Sequence, residues 1–180
     1  MDELIVVDKQ DNIIGSIGKE ECHNGDGILH RAFSIFIFNN QKQLLIQQRS
    51  NLKRLWPLFW SNTCCSHQRL REPLLDITKK RLEEEFGFSC TLKNLYKFQY
   101  SAKYNDVGSE NEICSVLIGK LNDEIKLNPN PEEVSNFKWV NIKELQEDIK
   151  NNPEKYSPWF KIECKELFSN YLDEIEELFT

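Results

Sequence analysis

The chain has 180 residues, 39% hydrophobic and 29% charged, which is typical of a soluble globular protein with a single domain over residues 1–180. Its formal net charge of −6 argues against a nucleic acid or an anionic membrane as the main partner. No apolar run approaches the roughly 20 residues that a membrane-spanning helix needs, and the first residues lack the pattern of a signal peptide. We therefore expect a cytoplasmic protein whose six cysteines are reduced thiols.

The first third of the chain predicts strands. Residues 3–8 (ELIVVD) and 13–18 (IIGSIG) are rich in β-branched residues and surround a turn at Lys9–Asn12. Residues 29–39 (LHRAFSIFIFN) are apolar at nearly every position, which predicts a strand buried on both faces. Residues 43–49 (QLLIQQR) follow across NNQK and predict a hairpin with that strand.

The remainder of the chain predicts one helix, then strands, then helices. From about Pro73 to Phe86, apolar residues recur on one side with charges opposite, and Gly87 follows as a helix stop. Pro158 is acceptable in the first turn of a helix. Three strands fit residues 95–102 (LYKFQYSA), 112–121 (EICSVLIGKL) and 136–142 (NFKWVNI), and two helical stretches fit 142–150 (IKELQEDIK) and 157–179 (SPWFKIECKELFSNYLDEIEELF). This order predicts a mixed α/β (α+β) fold.

The segment SNTCCSH, residues 61–67, places two cysteines beside a histidine. If it is extended, Cys65 and His67 face one way and Cys64 faces the other. A zinc site built on both cysteines is disfavoured, because adjacent residues of a strand cannot point at one metal. Cys65 is thus predicted to lie near a metal ligand without being one.

The chain has only three histidines, His23, His30 and His67. Glu110 and Glu112 stand two residues apart, so their side chains leave the same face of a strand. Three imidazoles and two carboxylates would make a site suited to Zn²⁺ or Mn²⁺ rather than Ca²⁺. The alternatives are a polar or core role for each histidine and a solvated strand end for the two glutamates.

Basic residues cluster just before SNTCCSH. The stretch QQRSNLKRLWP supplies Arg49, Lys53 and Arg54, and Lys19 and Arg81 lie elsewhere. Arginine offers a planar fork to phosphate oxygens and lysine a point charge, so a diphosphate ligand is one interpretation and an ordinary charged loop is the other. The acidic helix RLEEEFG favours the first, because a carboxylate there could hold Mg²⁺ against diphosphate oxygens.

That helix also fits most of the Nudix box, G-x5-E-x7-R-E-U-x-E-E-x-G-U. Ser66 replaces its first glycine, Lys80 its arginine, and Arg81 the glutamate that follows. Because a metal-binding glutamate is replaced by arginine, the box does not predict ordinary Nudix hydrolysis. The matching positions are Glu72, Leu82, Glu84, Glu85, Gly87 and Phe88.

From about Lys19 to Trp159 the chain resembles the type 1 isopentenyl-diphosphate isomerases, a family with the Nudix fold. The resemblance is carried by LHRAFSIFIF, LLIQQRS, LWPLFWSNTCCSH, KRLEEEFGF, ENEI and YSPWF, in this order. It implies a Nudix-like mixed sheet with flanking helices. It also implies the interconversion of isopentenyl and dimethylallyl diphosphate through a tertiary carbocation, in isoprenoid biosynthesis. Gln68 replaces a proline common in the family, which we expect to alter the loop shape rather than the chemistry.

The resemblance also implies roles for individual residues. The acid/base cysteine falls on Cys65 and its partner on Glu112; the family's usual assignment has the glutamate deliver a proton and the cysteine accept the other. Tyr100 supports this glutamate, and Trp159 is the active-site aromatic. The metal site falls on His23, His30, His67, Glu110 and Glu112, with Mn²⁺ or Zn²⁺ as the metal. The residues for Mg²⁺ and diphosphate are Glu85, Lys19, Arg49, Lys53 and Arg81.

Two other hypotheses stay open from the sequence. A Nudix hydrolase that cleaves a diphosphate linkage is disfavoured by Arg81 and leaves Cys65 without a role. A metal-stabilised binding module without catalysis leaves Trp159 and the basic cluster unexplained. Beside the small-molecule substrate we expect no nucleic acid and no membrane as partners, and a monomer or weak dimer.

Overall fold

One nine-stranded mixed sheet organises the protein in a computed structural model that describes residues 3–122 and 124–180. No helix among these residues is long and apolar enough to cross a membrane. The strands are β1 (Glu3–Val7), β2 (Ile13–Gly18), β3 (His30–Phe38), β4 (Leu44–Arg49), β5 (Trp60–Ser61), β6 (Cys64–His67), β7 (Leu92–Tyr104), β8 (Gly108–Lys120) and β9 (Val134–Val140). The helices are α1 (Lys19–Cys22), α2 (Leu74–Phe86), α3 (Ile142–Asn151), α4 (Pro158–Asn170) and α5 (Leu172–Glu176), with 3₁₀ turns at Pro153–Lys155 and Glu177–Phe179.

Strand β3 is the centre of the sheet because it has a partner on each side. It runs parallel to β8 along its whole length, with His30 opposite Glu112. On its other side it runs antiparallel to β6, with Ser34 opposite Cys65. Strand β7 pairs with β8, and β1 and β4 pair with the two ends of β3. The register of β3 therefore fixes which residues of three strands become neighbours.

Helices cover both faces of this sheet. On one face, Phe33, Ile35 and Ile37 of β3 pack in a cluster with Leu82 and Phe86 of α2. Because successive side chains of a strand alternate between faces, the residues between them point the other way. There Ala32, Phe36 and Phe38 pack in a second cluster with residues of α3, α4 and α5. The prediction that this strand is buried on both faces is confirmed.

The prediction of one helix over residues 157–179 was wrong in one respect. In the structure this helix is interrupted at Tyr171. This residue leaves the helical conformation, with φ −129° and ψ 27°, and its ring stacks on Tyr96 of β7 at 4.7 Å between centroids. The change of direction lets Ile175 of α5 become buried against the sheet. Packing on the sheet therefore outweighs the helical pattern of the segment.

Strand pairing also explains where the observed strands differ from the predicted ones. The predicted hairpin of β3 and β4 is paired only next to its turn, where Phe38 lies opposite Leu44, because the rest of β4 pairs with β9 and β5. Strands β7 and β8 extend beyond the predicted stretches and pair with each other as far as Tyr104 and Gly108. The extension includes Glu110, in agreement with the prediction that Glu110 and Glu112 lie on one strand. Helix α2 and its stop at Gly87, with φ 75°, are confirmed.

Strand β8 starts against the turn that carries His23. The backbone N–H of Ser109 donates to the carbonyl oxygen of His23 at 3.0 Å. A Cβ atom at Gly108 would overlap that same carbonyl oxygen, whereas a Cβ atom at Gly15, in β2, would meet no atom within 4 Å.

We therefore expect Gly108→Ala to lower the free energy of unfolding by about 1–3 kcal/mol, since the backbone of the turn must shift. The matched change Gly15→Ala should stay within about 0.5 kcal/mol of the parent protein. Urea denaturation of both variants measures the difference. Equal stabilities would contradict the close approach at Gly108.

Candidate active site

Strand pairing brings the predicted metal ligands together at one end of the sheet. His30 lies opposite Glu112 across β3 and β8, and Glu110 precedes Glu112 by two residues on the same face. His67 comes from β6, and His23 comes from the turn that follows α1. One ligand atom from each of these five residues lies within 4.8 Å of all the others.

Backbone carbonyls orient two of the histidine rings. The Nδ1–H of His23 donates to the carbonyl of Lys19 at 2.6 Å, and that of His30 donates to the carbonyl of Ile28 at 2.7 Å. Because Nδ1 of each ring is bound to a carbonyl oxygen, the Nε2 atom is turned toward the cluster. The Nε2 atom of His23 lies 2.9 Å from Glu110 Oε2, and that of His67 lies 3.2 Å from Glu112 Oε1.

The ionisation and the unpaired ligand atoms of the cluster suit a divalent cation. Burial favours protonated carboxyls, but the adjacent imidazoles of His23 and His67 hold the pKa of Glu110 well below its usual range. Burial and Glu110 likewise raise the pKa of Glu112, yet the nearby imidazoles of His30 and His67 leave it lowered. His30 Nε2 and Glu110 Oε2 are buried without a hydrogen bond of good geometry among the described residues. Buried polar atoms are normally paired, and these nitrogen and oxygen ligands suit a first-row divalent metal.

The two adjacent cysteines face opposite ways, as predicted. Cys64 is fully buried in the cluster under α2, whereas Cys65 borders the cavity beside Arg49, whose Nη1 lies 3.7 Å from its Sγ. Burial raises the pKa of Cys65 to about 12, against the lowering effect of Arg49. At neutral pH the Cys65 thiol therefore carries its proton.

Tyr100 and Trp159 border the same cavity. The hydroxyl of Tyr100 donates to Glu112 Oε2 at 2.6 Å, and burial together with Glu112 raises the pKa of this tyrosine well above its usual value. The indole N–H of Trp159 donates to Ser61 Oγ at 3.0 Å, and the guanidinium of Arg49 lies 5.1 Å from its ring centroid. Both aromatic side chains are thus held in one orientation.

These groups surround one cavity of about 290 Å³. Positive side chains and apolar side chains line the same cavity as the cysteine and the carboxylates, so the cavity suits an anionic ligand with an apolar part. Its lining residues are Lys19, Glu20, His23, Phe33, Ser34, Arg49, Lys53, Arg54, Leu55, Cys65, Ser66, His67, Arg81, Tyr100, Glu110, Glu112 and Trp159. All of the predicted catalytic and substrate-binding residues are among them.

Glu133, which was not predicted, holds two of the cations. It forms an ion pair with Lys53, and its Oε1 lies 3.2 Å from Arg81 Nη2. Although burial acts in the opposite direction, Lys53 and Arg81 lower the pKa of Glu133 to about 2. No spacing in the sequence links this loop residue to the basic cluster, because the contact spans 80 residues of chain. Ser34 was also missed, although it shares a strand face with His30.

Glu85 lies apart from the other predicted metal ligands. Its Oε1 accepts from Arg81 at 2.7 Å and its Oε2 accepts from Gln47 at 3.1 Å. It belongs neither to the cluster of five ligands nor to the lining of the cavity. Arg81 contacts Glu85 and also lines the cavity, and the assignment of Glu85 to Mg²⁺ stays a prediction.

Comparison with known proteins gives the family. A NUDIX domain model matches residues 28–160. A Photorhabdus laumondii protein named isopentenyl-diphosphate Delta-isomerase 1 is 44% identical over 97% of this chain and 99% of its own length. The chain belongs to the isopentenyl-diphosphate Delta-isomerase family. A Serratia proteamaculans isomerase is 40% identical over 96% of both chains, and a chloroplastic Arabidopsis thaliana isomerase is 33% identical over 98% of this chain and 68% of its own.

Solved structures agree on the fold. A protein from Deinococcus radiodurans has a TM-score of 0.72 at 18% identity and covers 91% of this chain and 97% of its own. A MutT protein from Methanosarcina mazei has a TM-score of 0.62 at 15% identity, covering 78% and 93% respectively. At these identities the likeness extends to the fold alone, so the Nudix-like mixed sheet with flanking helices is confirmed.

From the composition of this cluster, we expect metal binding by the protein to require the histidines and not Cys65. We expect the purified protein to bind about one divalent cation there, and His67→Ala to weaken that binding by at least about tenfold, because a ligand is lost. Cys65→Ala should keep the metal, since its sulfur is not among the five ligands. Elemental analysis after dialysis measures both variants. Equal metal loss from the two would contradict the assignment.

Proposed function

We propose that this protein interconverts isopentenyl diphosphate and dimethylallyl diphosphate by moving a carbon–carbon double bond. Family membership supports the activity, and one observation in the structure supports the site. Cys65 and the hydrogen-bonded pair of Glu112 and Tyr100 come from strands on either side of β3 and border the same cavity. Two separate proton-carrying groups are what this reaction requires.

The substrate chemistry explains this requirement. The C–H bond to be broken is unactivated, so a side-chain base cannot remove its proton first. Protonation of the alkene at its terminal carbon produces a tertiary carbocation, after which a proton on the adjacent carbon becomes acidic. One group must therefore donate a proton and a second group must accept another one.

Cys65 is one of these groups and Glu112 is the other. In the substrate-free protein the thiol of Cys65 holds a proton, and Glu112 is ionised while it accepts a hydrogen bond from the hydroxyl of Tyr100. Tyr100 keeps Glu112 oriented and carries a proton next to it. The two transfers can then occur at different positions around a substrate that stays in place.

We propose that four basic residues bind the diphosphate, namely Lys19, Arg49, Lys53 and Arg81. All four line the cavity, and guanidinium groups match phosphate oxygens in pairs of hydrogen bonds. Binding at this end fixes the hydrocarbon part without any contact to the reacting carbons, which raises the effective concentration of the proton-transfer groups. The contacts of Glu133 with Lys53 and Arg81 hold these two side chains before substrate arrives.

Trp159 is proposed to face the carbocation. An aromatic face stabilises a desolvated cation by about 2 kcal/mol. The hydrogen bond from its indole to Ser61 keeps the ring at the cavity wall, and its neighbour Trp56 packs against it edge-on at 5.4 Å between centroids. This wall excludes water, which would otherwise trap the cation.

The cluster of five ligands would hold one divalent metal, which we propose to be Mn²⁺ or Zn²⁺. These ligands are His23, His30, His67, Glu110 and Glu112. When bound, this cation keeps Glu112 fixed and lowers the pKa of groups around it. We propose Glu85 for a second ion, Mg²⁺, that accompanies the diphosphate, and Arg81 would then have to share Glu85 with it. We further propose that the protein works in the cytoplasm as a monomer or weak dimer.

The two neighbouring cysteines provide the sharpest test. Cys65→Ala should reduce the conversion of isopentenyl diphosphate to background, while the fold and the metal content stay intact, because a proton-carrying group is removed. Cys64→Ala is the matched control: it removes one sulfur atom from the core and should cost about 1 kcal/mol of stability while turnover continues. The assay follows dimethylallyl diphosphate by nuclear magnetic resonance or chromatography.

Equal loss of turnover in both variants would contradict the role of Cys65. Release of inorganic phosphate or diphosphate by the parent protein would favour a hydrolase instead. No conversion at all by the metal-loaded parent protein would contradict the proposed function.

A further inference from the structure

Glu163 is a fully buried acid for which the reaction outlined above has no role. It lies on α4 four residues after Trp159, so both side chains leave the same side of the helix. Trp159 borders the cavity, while Glu163 is 0% exposed and lies behind the cavity wall. A carboxyl in such a place is rare unless it is paired with a cation or neutral.

The contacts of Glu163 lead to the floor of the cavity. The Sγ of Cys114 lies 3.7 Å from its Oε1, and Ser34 acts on the same carboxyl to lower its pKa. The same sulfur lies 3.5 Å from Ser34 Oγ. Ser34 borders the cavity and stands directly opposite Cys65 across β3 and β6. Glu163 is thus connected to the neighbourhood of Cys65 through the thiol of Cys114 and the hydroxyl of Ser34.

No cation balances this carboxyl among the described groups that act on it. Facing it are Glu112 and Cys114 from β8, Tyr96 from β7 and Cys164 from its own helix. Burial, supported by the charge of Glu112, raises the pKa of Glu163 to about 8, although Ser34 and Cys114 act to lower it. Its Oε2 has no hydrogen-bond partner among the described residues, which suits a neutral acid better than a carboxylate.

We propose that Glu163 is a positioning residue whose neutral carboxyl group holds the Ser34 hydroxyl at the cavity floor beside Cys65, and that turnover requires this carboxyl to keep its proton. The inference rests on the proposed isomerase function. A protonated carboxyl can donate to Ser34 Oγ, which leaves the hydroxyl proton of Ser34 directed toward the cavity. An ionised carboxylate can only accept, so it draws that proton back toward α4 and away from Cys65.

Three variants test this arrangement through kcat, KM and their dependence on pH. Glu163→Gln keeps a donor that does not titrate, so the fall of the parent's kcat above a pH of about 8 should disappear. Glu163→Leu has no donor, and its kcat should fall about tenfold with little change in KM, because the diphosphate-binding side chains are elsewhere. Glu166→Gln, on the same helix, is the control and should match the parent, since the Glu166 side chain accepts a solvent-exposed hydrogen bond from Asn170.

A stability measurement tests the proton on Glu163 without any substrate. The folded protein holds this proton up to a pH of about 8, whereas the unfolded chain releases it near 4.5. The stabilisation that the proton provides is therefore complete below 4.5 and is lost as the pH rises through about 8. Relative to Glu163→Gln, the urea midpoint of the parent protein should fall steadily across this interval.

The outcomes separate this proposal from the proposed function. An alkaline fall of kcat that persists unchanged in Glu163→Gln would overturn it, as would a kcat of Glu163→Leu equal to that of the parent. A difference in urea midpoint that is independent of pH would also overturn it. If the parent protein does not isomerise the substrate, the proposed function fails, while the urea comparison still reports the protonation of Glu163.

Discussion

The parallel pairing of β3 with β8, with His30 opposite Glu112, is the constraint on which the site depends. Side chains of a strand repeat every two residues, so this register and that of β6 determine which groups meet above the sheet. Along β3 the face that carries His30 continues with Ala32, Ser34 and Phe36. A shift of one residue would turn His30 to the opposite face and end the cluster.

This face of the sheet changes from polar to apolar along its length. The apolar end therefore offsets part of the free energy that it costs to bury charged side chains at the polar end. The carboxylates and histidines lie at one end, where Glu110 and Glu112 are held by imidazole nitrogens. At the other end, Phe36 and Phe38 pack with α4 in the main core. Hydrophobic burial there, on the order of 2 kcal/mol for each large side chain, supports a site that is costly to assemble without a cation. Ser34 and Glu163 lie at the boundary between the two regions.

Much of this arrangement could be predicted from the sequence, because it depends on the two-residue alternation of side chains along a strand. The alternation in CCSH and in ENE was enough to predict which side chains share a face, and the structure agrees. Contacts between distant segments could not be predicted in this way. The ion pair of Lys53 with Glu133 and the place of Glu163 behind Ser34 depend on how a loop and a helix pack on the sheet. The break at Tyr171 has the same origin, since stacking on Tyr96 outweighs the local helical pattern.

Arg81 is one of three positions, with Ser66 and Lys80, at which this protein departs from the Nudix box. It occupies the place of a glutamate in the Nudix box and contacts Glu84, Glu85 and Glu133, so a cation stands where the box would place a metal-binding carboxylate. The most direct test of the proposed reaction is conversion of isopentenyl diphosphate by the metal-loaded protein in heavy water. We expect dimethylallyl diphosphate with deuterium in a methyl group, because an exchangeable group protonates the terminal carbon. Release of phosphate or diphosphate, or product without deuterium, would contradict it.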